Sequence, residues 1–353
     1  MRGAELDVGH RAVREGVVLH RSSGARVMVR GEAAYDRVEA LCPRDLFVRT
    51  GQVLHGLVLD EHAGVRADLY VAPRDDDFLL LADGIDDAGL IAALGEGAEV
   101  EPLGESHALI SLAGPYAWEL LGALLGPEVA TIGYMTTIPV PELGPDALCL
   151  RTGTSGEYGY DLLLRRADAE ACLARLRAIG DRFELVEVEQ AVLDRCALEN
   201  GFFCPRHRGV LGRSPIELQL QWRVRYDHAR LGPALCEARD RHVRAQGRRL
   251  AWVIGRLEDP PPDPGPLERE GRVIGELLEG FRSPVLDCFV GLALLDRGLA
   301  HPWIDGVFQA ALELRVEAPP LLQNRSLFVD PKKHVFAHRG EDRFPPIVPG
   351  EQP

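Results

Sequence analysis

Short apolar runs broken by turns fill residues 24–83, and longer helical stripes follow from residue 107. The runs at 26–29, 54–59, 69–72 and 78–82 have the length and composition of strands. The last two flank Arg74-Asp75-Asp76-Asp77, a polar turn that makes them a hairpin. A helix is predicted over 32–41, with Val38 and Leu41 on one face, and another over 86–94 covering the sheet. A strand at 107–112 leads to a helix opened by Gly114-Pro115, because proline suits a first turn that needs no N–H partner. Leu120, Leu121, Leu124 and Leu125 mark the buried face of that helix. Strands at 147–151 and 160–164 are expected to pair across a glycine-rich loop. Asp168 reads as the N-cap of a helix with Ala169, Cys172, Leu173, Leu176 and Ile179 inward and Gly180 at its end. A further helix spans 189–200, stopped by Gly201. Beyond about residue 240 the pattern turns to strands at 250–257, 272–277, 291–295 and 308–316, with Pro/Gly-rich connections such as the loop 259–266. The prediction is an α+β chain with a β-rich C-terminal domain.

Composition narrows the class. A chain of 353 residues with 46% hydrophobic and 27% charged residues can build two or three cores, so a single small module and a disordered chain are both excluded. The formal charge of −14 makes it a poor general binder of nucleic acid or of an anionic membrane. No apolar run is long enough to span a bilayer, and MRGAELDVGHRAVREG lacks the apolar centre of a signal peptide, so a cytoplasmic protein is expected. The seven cysteines are scattered and form no CxxC pair, which argues against a disulfide framework or a zinc ribbon. Cys196, Cys204 and His207 are close in sequence but lack a fourth ligand at a recognised spacing, so no metal site is expected. GxGxxG after a strand, GxxxxGK[ST], HExxH and GxSxG are all absent, which leaves no nucleotide, zinc or hydrolase assignment.

Three constellations remain. Residues 151–161, RTGTSGEYGYD, hold three glycines between strands, either a plain hairpin or a backbone that comes close to a ligand. Residues 63–69 place Asp68 at the entry to an apolar strand, either as a solvated strand-end acid or as a site group. Ser214-Pro215-Ile216-Glu217 and Trp222 lead from a loop into the next segment, with Trp222 expected in the core.

In this order and spacing the segments resemble one family, the glycine cleavage system T-protein and the related tetrahydrofolate-linked demethylases. His10-Arg11-Ala12-Val13-Arg14 resembles its EHxAVR. Gly51 followed seventeen residues later by Asp68 resembles its G-(x)16-D run ending in DDL. Ala113-Gly114-Pro115-Tyr116-Ala117 resembles QGPxA, and residues 151–161 resemble RTGYTGEDGFE. Leu198-Glu199 falls at RLE, Ser214–Glu217 with Trp222 at TPxExGLxW, and residues 275–284 at GxxTSGxxSP.

The resemblance implies a three-domain cloverleaf with ferredoxin-like α/β domains and a C-terminal β-barrel or jelly-roll. The domains would be 1–26 with 105–238, then 27–104, then 239–353. It implies an enzyme that uses tetrahydrofolate to take a methyl, methylene or aminomethyl-derived group from a small amine, ether or thioether. Asp68 is the implied acid/base or charge stabiliser. His55, Leu69, Asp83, Arg151, Thr154, Tyr160, Asp161 and Lys333 are the implied cofactor-binding residues. Asp161 would accept hydrogen bonds from the amino-pyrimidine edge of the pterin. Lys332, Lys333 and Arg339 are candidates for the folate tail. The implied partners are the one-carbon donor, tetrahydrofolate and a carrier protein. His55 stands for the family's tyrosine, Asp83 for an asparagine, Thr154 for the tyrosine of RTGY and Ala197 for the arginine of RLE. These changes leave two other readings open: a non-catalytic folate-binding protein, and an enzyme repurposed for a non-folate ligand.

Overall fold

A computed structural model describes residues 2–75, 77–245, 247–256 and 262–347. Asp76 of the predicted turn and the first part of the 259–266 loop lie outside the described residues.

Three sheets organise the molecule. The first has the order Val186–Glu187, Val18–Ser22, His107–Ala113, Gly159–Arg165, Leu148–Leu150, Thr137–Pro139. Helices Ala117–Leu125 and Arg166–Gly180 bury Leu120, Leu121, Leu173 and Leu176 against Ile110, Leu112, Leu162 and Leu164 on one of its faces. The second sheet has the antiparallel order Leu54–Leu59, Val65–Pro73, Asp77–Asp83, Ala25–Arg30, Glu99–Pro102. Helices Ala34–Leu41 and Asp87–Leu94 both cover one of its faces, the ferredoxin-like α/β layout enlarged by a strand. The third sheet closes into a six-stranded barrel of Arg248–Gly255, Cys288–Asp296, Arg272–Ser283, Gly265–Arg269, Val307–Gln309 and Leu312–Glu317. Of the two C-terminal alternatives, the barrel is the one formed.

The helix-free faces of the first two sheets pack on each other. Met28, Leu79 and Leu81 from the second sheet meet Leu109, Leu148 and Leu163 from the first. Side chains alternate across a strand, so along Val65–Pro73 Leu69 and Val71 face the helices while Asp68 and Tyr70 face this seam. After the barrel, the chain returns to the first sheet: Val329 and Phe336 join its helix-side core, where Phe336 meets Tyr116 edge-on at 5.5 Å between ring centroids.

The predicted elements are present with several corrections. Pro115 does not sit in the first turn of its helix; it precedes the N-cap, Tyr116. Asp168 is not a cap either. Strand Gly159–Arg165 runs directly into helix Arg166–Gly180, which puts Asp168 inside the first turn, where a carboxylate still suits the helix dipole. Trp222 is not core: it is 66% exposed, and its neighbour Arg223 is the buried residue at 2%. Helices Arg2–Glu15 and Gly232–Arg244 and strand Gly265–Arg269 were not predicted. No helix among the described residues is long and apolar enough to cross a membrane.

Candidate active site

One end of the seam between the two sheets opens into a cleft of about 900 Å³, its solvent mouth included. The second sheet contributes Asp68, Tyr70 and Asp83, and the first contributes His20, Ser111 and Asp161. The loop 152–155, the helix residues Gln190 and Leu193, and the segment Phe203, Cys204 and Arg206 also line it. Strand register explains the convergence: Asp68 is opposite Asp83 across one ladder, and Asp161 is opposite Ser111 across another.

The two central aspartates have different surroundings. Asp68 is 4% exposed. His55 Nε2 lies 2.8 and 2.9 Å from its two oxygens, and an Arg223 amine donates to Oδ1 at 2.5 Å and also to the Gly56 carbonyl. Burial alone would raise the Asp68 pKa, but the charges and hydrogen bonds of His55 and Arg223 outweigh it and bring it to about 2. Among the described residues Asp161 has no cationic partner. It accepts from the Ser111 and Thr152 hydroxyls, and burial raises its pKa above the usual carboxylate value. Asp83 is paired with Arg206, which also holds Asp194 at 2.7 Å; burial raises Asp83 in spite of that partner. Two buried polar atoms, Tyr70 Oη and His20 Nε2, belong to cleft-lining residues and have no hydrogen-bond partner among the described residues.

Of the residues singled out in the sequence, Asp68, Asp83, Thr154, Tyr160 and Asp161 border this cleft. Tyr160 does so while its ring is buried in the helix-side core. His55 adjoins the cleft through Asp68 and through a stacked contact with Tyr70, ring centroids 4.3 Å apart. Leu69 is fully buried on the opposite face of its strand. Arg151 lies under the glycine loop, its guanidinium on the Ile132 carbonyl and 5.1 Å from the Tyr158 ring centroid. Lys333 is outside this group: it is 75% exposed and paired with Asp330 at 3.4 Å. Lys332 is exposed, and Arg339 is engaged with Glu184 and Phe336. Cys196, Cys204 and His207 do not come together. Cys204 points at Asp194, whereas Cys196 lies beside His10 and Glu199.

The glycine loop is built for close approach to its own chain as well as to the cleft. Gly156 has φ +84°, and a Cβ there would collide with the Asn200 side chain. Gly153, Thr154 and Ser155 then line the cleft with mostly backbone and short side chains.

The sequence reading missed Arg223, Arg206, Tyr70, His20 and Ser111. Ser111 and Tyr70 follow from strand alternation once Asp161 and Asp68 are taken as inward. Arg223 gives no local indication, being 155 residues from Asp68.

Comparison with known proteins decides the family. Residues 4–228 match the family described as GCVT N-terminal domain. This chain belongs to the aminomethyltransferase family. It is 30% identical over 310 residues to an aminomethyltransferase of Chlorobaculum parvum, covering 82% of each chain. It is 27% identical over 303 residues to one from Thermus thermophilus, covering 83% of this chain and 84% of the other. The fold matches the crystal structure of glycine cleavage system aminomethyltransferase T from Bartonella henselae, with a TM-score of 0.75 and 22% identity over 91% of this chain and 90% of that one. The chain is accordingly a folate-dependent transferase, with tetrahydrofolate as the cofactor of its family. The cleft suits that group: among the described residues it has a partly buried acceptor at Asp161 without a cationic partner and two unpartnered polar atoms, Tyr70 Oη and His20 Nε2.

Proposed function

We propose that the chain transfers a methyl, methylene or aminomethyl-derived group from a small amine, ether or thioether to tetrahydrofolate bound in the seam cleft. The observation that carries this reading is the contrast between two carboxylates lining one cleft, Asp68 buried on a cation and Asp161 partly buried on hydroxyls. Asp161, supported only by hydroxyls, suits the donor-rich amino-pyrimidine edge, because a ligand N–H replaces the solvation that burial removed. Asp68, clamped by His55 and Arg223, stays ionised at neutral pH. With both oxygens already engaged by His55 and Arg223, Asp68 suits a charge stabiliser better than a proton shuttle. A fixed anion beside the cleft lowers the energy of positive charge developing on the transferred carbon. Tetrahydrofolate supplies the nitrogen nucleophile that takes up the one-carbon unit. Tyr70 and His20 offer hydrogen-bonding atoms on the second and first sheets.

The three-domain division at 1–26 with 105–238, 27–104 and 239–353 is part of this reading. It is supported by the way each stretch forms its own sheet. A carrier protein as a partner belongs to it as well, by likeness to the family.

Isothermal calorimetry with tetrahydrofolate on the wild-type chain and on Asp161→Ala tests the assignment. Micromolar binding, weakened about tenfold or more by the substitution, is expected, a loss of about 1.4 kcal/mol or more. Absence of binding to the wild type would overturn the folate reading and favour a repurposed pocket.

A further inference from the structure

Asp68 already has both oxygens engaged by His55 and Arg223, yet transfer needs a proton to move. When a nitrogen nucleophile forms its new N–C bond, its N–H proton must leave. When the donor's carbon–heteroatom bond breaks, the departing heteroatom needs a proton. The sum, N–H plus C–X giving N–C plus X–H, is redox-neutral and requires one group that accepts and returns a proton. We propose that His55 is that proton carrier: Asp68 holds its Nε2–H, and its Nδ1 takes the proton from the attacking nitrogen and delivers it to the leaving heteroatom. This rests on the one-carbon-transfer reading above.

Geometry supports each part. His55 is the register partner of Tyr70, so both rings stand on the same side of the second sheet as Asp68. The ring nitrogen 2.8 and 2.9 Å from the two carboxylate oxygens is the one that donates, so Nε2 carries a hydrogen. The stacked Tyr70 ring and the short contact to Asp68 fix the plane of the imidazole. Among the described residues no hydrogen bond engages Nδ1, and the side chain is 19% exposed, so no described protein group occupies that nitrogen.

Arg223 completes the arrangement as a positioning residue. Its guanidinium, buried and spanning Asp68 Oδ1 and the Gly56 carbonyl, keeps the proton off Asp68 and therefore on the imidazole side. The charged and titratable groups around the ring are Asp68, Tyr70, Arg223 behind Asp68, Arg44, which donates to the His55 carbonyl at 2.8 Å, and Tyr134, which shares the field of Asp68. None of these presents a second carboxylate to compete for the role. Asp83, the next acid along the ladder, is taken up by Arg206.

Nuclear magnetic resonance of the full chain carrying ¹⁵N-histidine reads this without turnover, with the His55 signals assigned by their loss in His55→Gln. The expected result is an Nε2–H tautomer at neutral pH that Asp68→Asn releases. Saturating tetrahydrofolate should shift Nδ1. A Nδ1–H tautomer, or a Nδ1 signal unmoved at a folate concentration where calorimetry shows the site filled, would overturn the proposal and leave the folate reading standing. If calorimetry shows no folate binding at all, that reading falls instead. In transfer assays His55→Gln should lower kcat about 100-fold or more with tetrahydrofolate affinity within a few-fold of wild type. A loss confined to KM would contradict a proton-carrying role.

Discussion

Asp68 and Arg223 form a buried ion pair 155 residues apart in sequence, and its energetics decide what substitution does there. Taking two charges out of water is costly, and their attraction compensates only while both are present. Asp68→Asn leaves the Arg223 guanidinium buried without a carboxylate, and Arg223→Leu leaves Asp68 with His55 alone. Each single change should cost about 3 kcal/mol in urea unfolding, and the double substitution should cost clearly less than the sum. Strict additivity would show that the pair is not coupled. The pH dependence has a definite sign. Asp68 titrates at about 2 in the folded chain against 3.8 ordinarily, so its contribution is present above about pH 4 and is lost as pH falls toward 2, about 2 kcal/mol in all. Asp68 and Asp161 were legible in the sequence because they occupy positions that the family resemblance marks. Arg223 was not, because hydrophobicity put its neighbour Trp222 in the core, and the two in fact have the opposite exposures.

Among the elements, the first helix shows why apolar periodicity has limits. The buried face of Arg2–Glu15 carries Gly9, His10, Val13 and Arg14, so only one of its four inward residues is a large apolar one. The two polar ones are buried because helix Gln190–Asn200 brings Glu199 to them, 2.9 Å from His10 and 2.7 Å from Arg14, with the Ser283 hydroxyl at 2.6 Å. Burial opposes ionisation at all these groups. The partners prevail: Cys196 and Glu199 raise His10 to about 9, and Arg14 and His10 lower Glu199 to about 2. The cluster therefore stabilises the fold between those limits. Its Glu199 part disappears as pH falls below about 4, and its His10 part as pH rises from about 6.5 through 9. Glu199→Gln, which strands two cations, should lower stability by about 3 kcal/mol at pH 7 and flatten the acid limb of a stability–pH curve. An unchanged acid limb would contradict this. Helix Gly232–Arg244 escaped prediction for a similar reason: its buried face is Gly232, Leu235, Ala238 and His242, too little apolar surface to register as a stripe. Helix Gln190–Asn200 was read nearly to the residue because Gly201, at φ +71°, is a chemical stop that no packing has to reveal.

For the molecule as a whole, the site exists only where the two sheets and the segment 203–223 meet. The second sheet supplies Asp68 and His55, the first supplies Asp161, and the segment leading toward the barrel supplies Arg206 and Arg223. The returning chain then fastens the glycine loop: Glu157 accepts from the Arg325 and Ser326 amides and the Ser326 hydroxyl, and Tyr158 donates to the Val329 carbonyl. Glu157→Ala should release this contact, accelerate hydrogen exchange in 152–156 and 324–329 together, and weaken tetrahydrofolate binding without abolishing it. Exchange that rises in only one of the two segments would show that they are not joined. The meeting of sheets could be inferred from the sequence only through family resemblance, since no local pattern says which strand faces pair. The most direct test of the central claim is a crystal structure of the chain with tetrahydrofolate bound. The account predicts the pterin in the seam cleft, its amino-pyrimidine edge on Asp161 and its reactive nitrogens toward Asp68 and His55. Folate bound elsewhere, with the Asp161 carboxylate still held only by Ser111 and Thr152, would contradict it.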